Sequence, residues 1–201
     1  MSKAYRWKFL NTQSKNIVSA HGSLNWKVGE WNKVDGGIEL CENGLHCSKK
    51  IYEAFGYVQG EVLAQVEVRG NVATSDDKEA YSEMRIVKAY KWAKKDSVAL
   101  SIFSAELCLK EFEKLYPNDT RPRDAIEAAK AVLLKDTAAN RKKAAAARSA
   151  ARSAAWSAAE SAAESAARSA ESAAWSAARK RTINKIEKWL NNHISEMEEI
   201  K

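Results

Sequence analysis

Glycine and proline are missing from the second part of the chain. All eight glycines lie at or before Gly70, and both prolines precede residue 123. Both residue types interrupt helices, so their absence from residues 123–201 predicts helices there, after a turn-rich first part. The sequence therefore predicts an α+β protein, with a small β-rich N-terminal domain at 1–95 and an all-α domain with long Ala/Ser-rich helices at 96–201.

Large apolar side chains are scarce in the middle of the helical part. Between Leu134 and Ile183 the only ones are Trp156 and Trp175, and residues 148–179 repeat the unit Ser-Ala-Ala-x. Alanine is the strongest helix former, so the tract is predicted to be helical, either as one helix of about 90 Å or as a hairpin that brings the two Trp together. Its small side chains favour close backbone packing, within one chain or between two, and a recognition surface.

Cysteine is rare and long apolar runs are absent. Three cysteines, an odd number without a signal-peptide pattern, predict reduced thiols and a cytoplasmic protein. No stretch approaches the ~18–20 apolar residues of a membrane span, which predicts a protein that does not enter the membrane. The net charge of +7 leaves both nucleic acid and an acidic protein open as partners.

Fingerprints of common catalytic sites are also absent. The sequence has no Gly-x-Ser-x-Gly elbow, no phosphate loop and no dinucleotide fingerprint, which argues against the usual hydrolases and nucleotidases and predicts no cofactor. His21, Cys41, His46 and Cys47 are four zinc-ligand types, but no Cys-x-x-Cys pair occurs, and the adjacent His46 and Cys47 point to opposite faces of a strand. No metal site is predicted.

Short apolar alternations in the first part predict strands. The clearest is at 61–69, where every second residue is Val or Ala, and Tyr5 to Leu10 alternates aromatic with basic side chains. Ser48 is predicted to cap a short helix at 50–57. Further strands are predicted at 15–20, 25–28, 30–34, 38–41 and 82–92.

Helix signals dominate after residue 95. Asp96 and Ser97 predict an N-cap for a helix at 98–116 that Pro117 ends, and Arg121-Pro122 opens the next helix. Asp136-Thr137 is predicted to interrupt that helix. A final amphipathic helix is predicted over 183–194.

Basic residues and tryptophans flank the repeat and form the predicted partner-binding set. Arginine next to tryptophan is typical of protein-interface hot spots, and the same residues offer cations and stacking faces to nucleic acid. The alternative is a solvated helix face with tryptophans packed between helices. The set comprises Arg141, Lys142, Lys143, Arg148, Arg152, Trp156, Trp175, Arg179, Lys180 and Arg181.

The start of the helical part carries a motif that resembles a known family. Residues 116–128 read Tyr-Pro-x-Asp-x-Arg-Pro-Arg-x-Ala-Ile-Glu-Ala and precede Ala-rich helices. In this respect residues 97–200 resemble a helical family of immunity proteins found largely in bacteria and their phages. Residues 5–92 resemble phage-encoded domains that share Leu40-Cys41-x-x-Gly44-Leu45-His46 before a short helix and a Val-rich strand.

These resemblances imply an accessory protein of a phage or mobile element. Such a protein acts in the cytoplasm of the bacterial host by binding, without catalysis, a component of antiviral defence. It inhibits or sequesters that component in the manner of an anti-CRISPR protein or a signal sponge. The expected partner is a host defence protein or its nucleotide signal, and self-association through the Ala-rich helices is compatible with this role.

A second resemblance concerns the order of polar motifs in the first part. His21-Gly22-Ser23, then Gly44-Leu45-His46, a strand, and Glu83 after Ser82 are similar to the order in ADP-ribosyltransferases. The resemblance implies that His21 holds a nicotinamide ribose, that His46 stacks near the nicotinamide, and that Glu83 polarises a ribose hydroxyl. An NAD-using enzyme in the N-terminal domain is therefore the alternative function.

Overall fold

The computed structural model describes residues 5–21, 24–58, 60–151 and 172–200, with side chains in the final helix described from residue 179. An antiparallel sheet forms a near-barrel over residues 5–91, and helices follow over 94–195. The predicted α+β class, with a small β domain before a helical one, is confirmed. In the described part of the chain, no helix combines the length and apolar character that crossing a bilayer requires.

In the part of the chain that the structure describes, eight strands build the sheet, and its two longest strands form a hairpin. The central path of the sheet runs β3-β2-β1-β6-β7-β4, and β5 and β8 also pair with β7. The strands are β1 (Tyr5–Gln13), β2 (Asn16–Val18), β3 (Asn25–Trp26), β4 (Trp31–Lys33), β5 (Leu45–Cys47), β6 (Val62–Thr74), β7 (Glu79–Lys91) and β8 (Glu199–Ile200).

A backbone bridge between Trp7 and Ser48 brings β1 to the end of β5. The N–H of Trp7 donates to the carbonyl of Ser48 at 2.9 Å, and the N–H of Ser48 donates back at 2.8 Å. Because β5 pairs with β7, β7 with β6 and β6 with β1, this bridge completes a ring of four strands. The prediction that Ser48 caps a helix is wrong, because its backbone belongs to this ring.

The inside of the ring is the main hydrophobic core. Alternate residues of β6 are fully buried there, namely Val62, Ala64 and Val66. Met84 and Ile86 of the paired strand β7 are also fully buried. The apolar face predicted for β6 is confirmed, and the predicted strand at 82–92 corresponds to β7. Each fully buried large aliphatic side chain contributes about 1.5–3 kcal/mol of hydrophobic stabilisation.

A second cluster packs on the outside of the ring. The rings of Phe9, Phe55 and Trp92 meet edge to face, with centroids 4.7–5.8 Å apart. Phe55 directly follows helix α1 (Ile51–Ala54), and His193 of the last helix lies 6.0 Å from Trp92. The strand β1 is therefore covered on both faces, with Leu10 pointing inward and Phe9 outward.

Among the described residues, four longer helical segments follow the sheet. They are α2 (Lys94–Leu115), α3 (Arg121–Leu134), α4 (138–151) and α5 (Ser172–Ser195). Pro117 follows the end of α2, Pro122 lies in the first turn of α3, and residues 135–137 separate α3 from α4, as predicted. The choice between one long helix and a hairpin for the repeat falls on residues outside the described ones.

Two further details of the predicted secondary structure are wrong. Residues 38–41 form a loop and not a strand, because the backbone turns at Cys41, whose φ is 70°, and the N–H groups of Glu39 and Asn43 each donate to the other residue's carbonyl. Helix α2 begins at Lys94, so Asp96 lies inside its first turn and not at the N-cap. The strand β8 was not predicted at all.

The chain divides into two compact units. The first comprises residues 1–93 and 187–201, and the second comprises residues 94–186. The strand β7 ends at Lys91 and α2 begins at Lys94, so the change from sheet to helix falls between these two residues. The last turns of α5 and the strand β8 group with the sheet, where β8 pairs with β7 at Ala89 and Tyr90.

Candidate functional site

A cleft of about 460 Å³ opens in the first unit. Its walls come from β1, the segment after β2, the loop before β5, β5 itself and the end of α1. Among the described residues that line it, the only carboxylate is Glu42. The lining side chains that carry chemistry are Lys8, His21, Cys41, His46, Tyr57 and Lys78.

Lys8 reaches the cleft from the inner face of β1. It lies two residues before Leu10 and therefore points to the same side as that core residue. Its Nζ donates to the carbonyl of His46 at 2.8 Å and lies 5.7 Å from the ring centre of Trp26. Burial of the ammonium group lowers the pKa of Lys8 to about 8, against a smaller opposing effect of Cys47.

His46 holds the loop at the edge of the cleft. Its Nε2 accepts the backbone N–H of Cys41 at 2.9 Å, and this anchors the loop at the residue with left-handed backbone geometry. Burial and the nearby charges of Lys8 and Lys78 lower the pKa of His46, although a hydrogen bond to the backbone of Gly44 acts in the opposite direction. The imidazole is therefore neutral near pH 7 and is used to fix the loop.

Lys78 approaches the same loop from the β6–β7 turn. Its Nζ lies 2.9 Å from the Sγ of Cys41 and 4.9 Å from the ring centre of Tyr57. A hydrogen bond to Asp77 raises the pKa of Tyr57 to about 12, so its hydroxyl keeps its proton at neutral pH. This side of the cleft therefore combines an ammonium group, a thiol and a phenol ring.

Two indole rings and a buried thiol complete the walls. Trp26 is 2% exposed, and its Nε1 donates to Ser19 Oγ at 2.9 Å, while Trp7 is half-buried. Burial raises the pKa of Cys47 to about 12, so this thiol stays protonated and chemically quiet. Across the described residues, no group of three or more His, Cys, Asp or Glu side chains is placed to hold a metal ion.

The three residues of the ADP-ribosyltransferase resemblance do not meet. His21 and His46 line the cleft, but Glu83 does not. Glu83 lies on β7 opposite Lys33 of β4, and its carboxylate pairs with Arg69 at 2.6 Å. The guanidinium of Arg69 in turn stacks on the ring of Trp31, 3.9 Å from its centre. Glu83 therefore belongs to a charged and aromatic patch away from the two histidines.

The predicted partner-binding residues lie in the helical unit where they are described. Arg141, Lys142, Lys143 and Arg148 are exposed on α4, and Arg141 lies 3.6 Å from Asp136. Arg179, Lys180 and Arg181 are exposed on α5. Arg152, Trp156 and the side chain of Trp175 lie outside the described residues. A partner surface formed by this set stays a prediction.

Sequence reasoning missed the two lysines that give the cleft its charge. The position of Lys8 could have been noticed in the sequence. In an alternating strand it lies on the same face as Leu10, and a lysine on a core-facing side of a strand is unusual. Lys78 carried no comparable signal. It reaches Cys41, which lies 37 residues earlier in the chain, only because β5 pairs with the start of β7.

Comparison with known proteins matches only the first part of the chain. Residues 7–95 are similar to a family described as a domain of unknown function, DUF7666. No curated protein and no solved structure matches the chain.

Proposed function

We propose that the chain acts by binding, and that the cleft of the first unit holds a small aromatic anion such as a nucleotide. In the setting implied by the phage resemblances, this ligand is a nucleotide signal of a bacterial antiviral defence, and the protein sequesters it without turning it over. The observation that carries the proposal is the placement of Lys8 and Lys78 in one cleft together with the rings of Trp7, Trp26 and Tyr57.

The size of the cleft fits a ligand of this class. Small-molecule sites usually enclose about 300–1,000 Å³ and combine apolar walls with a few polar groups, and about 460 Å³ lies within this range. Aromatic faces stack on planar bases irrespective of base identity, at about 1–3 kcal/mol per base. The partly exposed rings of Trp7 and Tyr57 therefore offer affinity for a flat ring system, whereas Trp26 is packed in the core.

The charge of the cleft favours an anion. Within the part of the chain that the structure describes, neither Lys8 nor Lys78 forms an ion pair with a carboxylate, although Lys78 lies in the field of the exposed carboxylate of Asp77. Burial of the Lys8 ammonium group costs free energy, as its lowered pKa indicates. A bound phosphate would offset that cost. Ammonium–phosphate hydrogen bonds are roughly twice as strong as neutral ones.

The arrangement supports binding over catalysis. His46 is engaged with the backbone of its own loop, and Glu83 is paired with Arg69 at another place on the sheet. A transferase mechanism of the kind implied by the resemblance needs Glu83 beside the ribose that His21 holds. The cleft instead presents two cations and no carboxylate beyond Glu42 among its described lining residues.

Calorimetric titration with a matched ligand pair tests the proposal. Adenosine monophosphate should bind about tenfold or more tightly than adenosine, because the phosphate adds charge-assisted hydrogen bonds. Lys8→Met and Lys78→Met should each remove most of this difference, and Lys33→Met, at an exposed lysine on β4, should leave it unchanged. Equal affinity for the two ligands in the wild-type chain would overturn the proposal.

A second arm separates sequestration from turnover. A cyclic dinucleotide and NAD are incubated with the full chain, released by heat denaturation and analysed by mass. Intact recovery of both is expected. Hydrolysis of either ligand, or transfer of ADP-ribose to the chain, would contradict a purely binding function.

A further inference from the structure

Lys8 differs from an ordinary ligand-binding lysine in its surroundings. Its side chain leaves the core face of β1 and ends between the carbonyl of His46 and the ring of Trp26. The nearest titratable neighbours that affect it are Cys47, which stays a neutral thiol, and His46, which is neutral near pH 7. This is a partly enclosed position that offers an ammonium group little compensating negative charge.

Burial weakens the preference of this amine for its ammonium form, compared with a lysine in water. An ammonium group carries three N–H donors, and one of them is used by the carbonyl of His46 at 2.8 Å. A neutral Nζ can keep that hydrogen bond and also has a lone pair for nucleophilic attack. Burial lowers the pKa of Lys8 to about 8, so about one-tenth of the molecules carry the neutral amine at pH 7.

We infer that Lys8 is a site of reversible imine formation, and that the cleft captures planar aromatic aldehydes that carry an anionic group. Lysines become nucleophilic when an apolar pocket desolvates them, and the cavity, the indole walls and the inward direction of Lys8 supply that environment. The inference rests on the proposed function for the charge and flatness of the ligand, and adds a covalent step at one atom.

The step balances without any oxidant or reductant. The lone pair of Nζ attacks the carbonyl carbon, and the C=O π electrons move to the oxygen, which takes a proton. The nitrogen loses a proton to solvent and the carbinolamine then loses water, forming C=N. Addition of water reverses the reaction and releases the aldehyde, so the capture is an equilibrium.

The second lysine of the cleft provides an internal comparison. Lys78 Nζ contacts the thiol of Cys41 and the ring of Tyr57 and lies on the turn before β7, whereas Lys8 lies within the strand β1. Both amines reach the same cavity and meet the same ligand. Preference for Lys8 over Lys78 therefore reports the environment of the amine and not access to the cleft.

Reductive trapping with pyridoxal 5′-phosphate tests the inference on the full chain. The aldehyde is added at about one equivalent, borohydride reduces the imine to a stable secondary amine, and peptides are mapped by mass spectrometry. Labelling of Lys8 should exceed that of Lys78 and of Lys33 by about tenfold or more, because a desolvated amine carries far more free base at pH 7–8. Labelling spread evenly over lysines would overturn the inference.

The pH dependence and a competitor add readouts that need no variant. The rate of labelling at Lys8 should rise up to about pH 8 and then level off, whereas surface lysines should continue to gain up to pH 10. Pyridoxine 5′-phosphate, which has an alcohol in place of the aldehyde, should protect Lys8. A rate at Lys8 that follows the surface lysines would contradict the inference.

Variants separate this inference from the proposed function. Lys8→Arg removes the nucleophilic amine, so it should lose the label whatever its affinity for pyridoxine 5′-phosphate. Binding of that alcohol with no preferential label at Lys8 in the wild-type chain would refute imine formation alone. A preferential label at Lys8 together with equal affinity for adenosine and its monophosphate would refute the nucleotide proposal alone.

Discussion

The carboxylate of Glu187 accepts the backbone N–H of Ile51 at 3.0 Å, across 136 positions of the chain. Its other oxygen accepts the N–H of Tyr52 at 3.1 Å, so the last helix caps the start of α1. The N-terminal N–H groups of a helix have no partner within it and attract negative charge. The end of α5 thus fixes the short helix that forms one wall of the cleft.

Removing this carboxylate should loosen the first unit. Glu187→Gln keeps the shape of the side chain but loses its charge, and we expect a decrease of about 1 kcal/mol in the free energy of unfolding, measured by urea denaturation. Glu196→Gln, at an exposed position of the turn after α5, is the control and should change stability little. Equal stability of the two variants would show that the cap contributes nothing.

Stability between pH 8 and 10.5 should depend on Lys8. Folding lowers the pKa of Lys8 from 10.5 to about 8, so the unfolded chain binds more protons in this window and stability rises with pH. Folding raises the pKa of Cys47 from 9.0 to about 12, which lowers stability above pH 9. The two effects oppose each other between pH 9 and 10.5, and a net rise is expected from pH 8 to 9.

Urea unfolding at pH 8 and pH 9 measures this rise. Lys8→Met removes the titrating amine and should abolish the rise, whereas Cys47→Ala should retain it and extend it beyond pH 9. An unchanged profile in Lys8→Met would show that the amine titrates at its ordinary pKa.

Acid should destabilise the first unit through Glu79, which is 3% exposed. Burial alone would raise the pKa of this carboxyl, but hydrogen bonds from Arg6 and Tyr81 outweigh burial and hold the pKa below 4.5. The ionised form therefore contributes stability above pH 4.5, and this contribution is lost as the pH falls through the folded-state pKa. Glu79→Gln should cost about 1–3 kcal/mol at pH 7.

Acid titration followed by tryptophan fluorescence checks the assignment. The difference in stability between the wild-type chain and Glu79→Gln should shrink as the pH falls below 4.5. Glu42→Gln, at an exposed position in the loop before β5, serves as the control. A difference that stays constant into acid would place the titration elsewhere.

A pair of glycines tests the tight packing of the ring. A Cβ on Gly60 would lie 2.2 Å from the carbonyl oxygen of Leu10, whereas a Cβ on Gly37 would meet nothing within 4 Å. Gly60→Ala should therefore destabilise the chain by several kcal/mol, on the order of the larger overpacking costs, and Gly37→Ala should be nearly neutral. Thermal unfolding measures both, and equal melting temperatures would contradict this contact.

Local patterns predicted the strands and helices where each residue's neighbours in sequence decide its structure. The alternation of β6 and the prolines after α2 and in α3 are examples, and both kinds of prediction are confirmed. The strand prediction for residues 38–41 was wrong, because apolar residues in a sequence do not reveal the left-handed backbone geometry at Cys41. The strand β8 was not predicted, because two residues are too few to show an alternating pattern. They form a strand only through their pairing with β7.

The candidate site was predictable only in part, for a related reason. His21 and His46 were selected from short motifs, and they do line one cleft. The order of motifs along the chain groups Glu83 with these two histidines. However, β7 is a long strand, and its residues lie at distant parts of the sheet. Lys78 lies on the same hairpin as Glu83, four residues before Ser82. It does reach the cleft, because the start of β7 is the end that pairs with β5.

The strand β1 changes partners along one of its edges. At Trp7 this edge bridges to Ser48, whereas at Asn11 to Gln13 it pairs with β2. Residues next to both of these partners line the cleft. The opposite edge stays paired with β6 throughout residues 5–10. Changes in the lengths of the loops after β2 and before β5 would thus widen or narrow the opening while the ring of strands keeps its register. The width of the opening is thus set by loops that take no part in the strand pairing that holds the ring together.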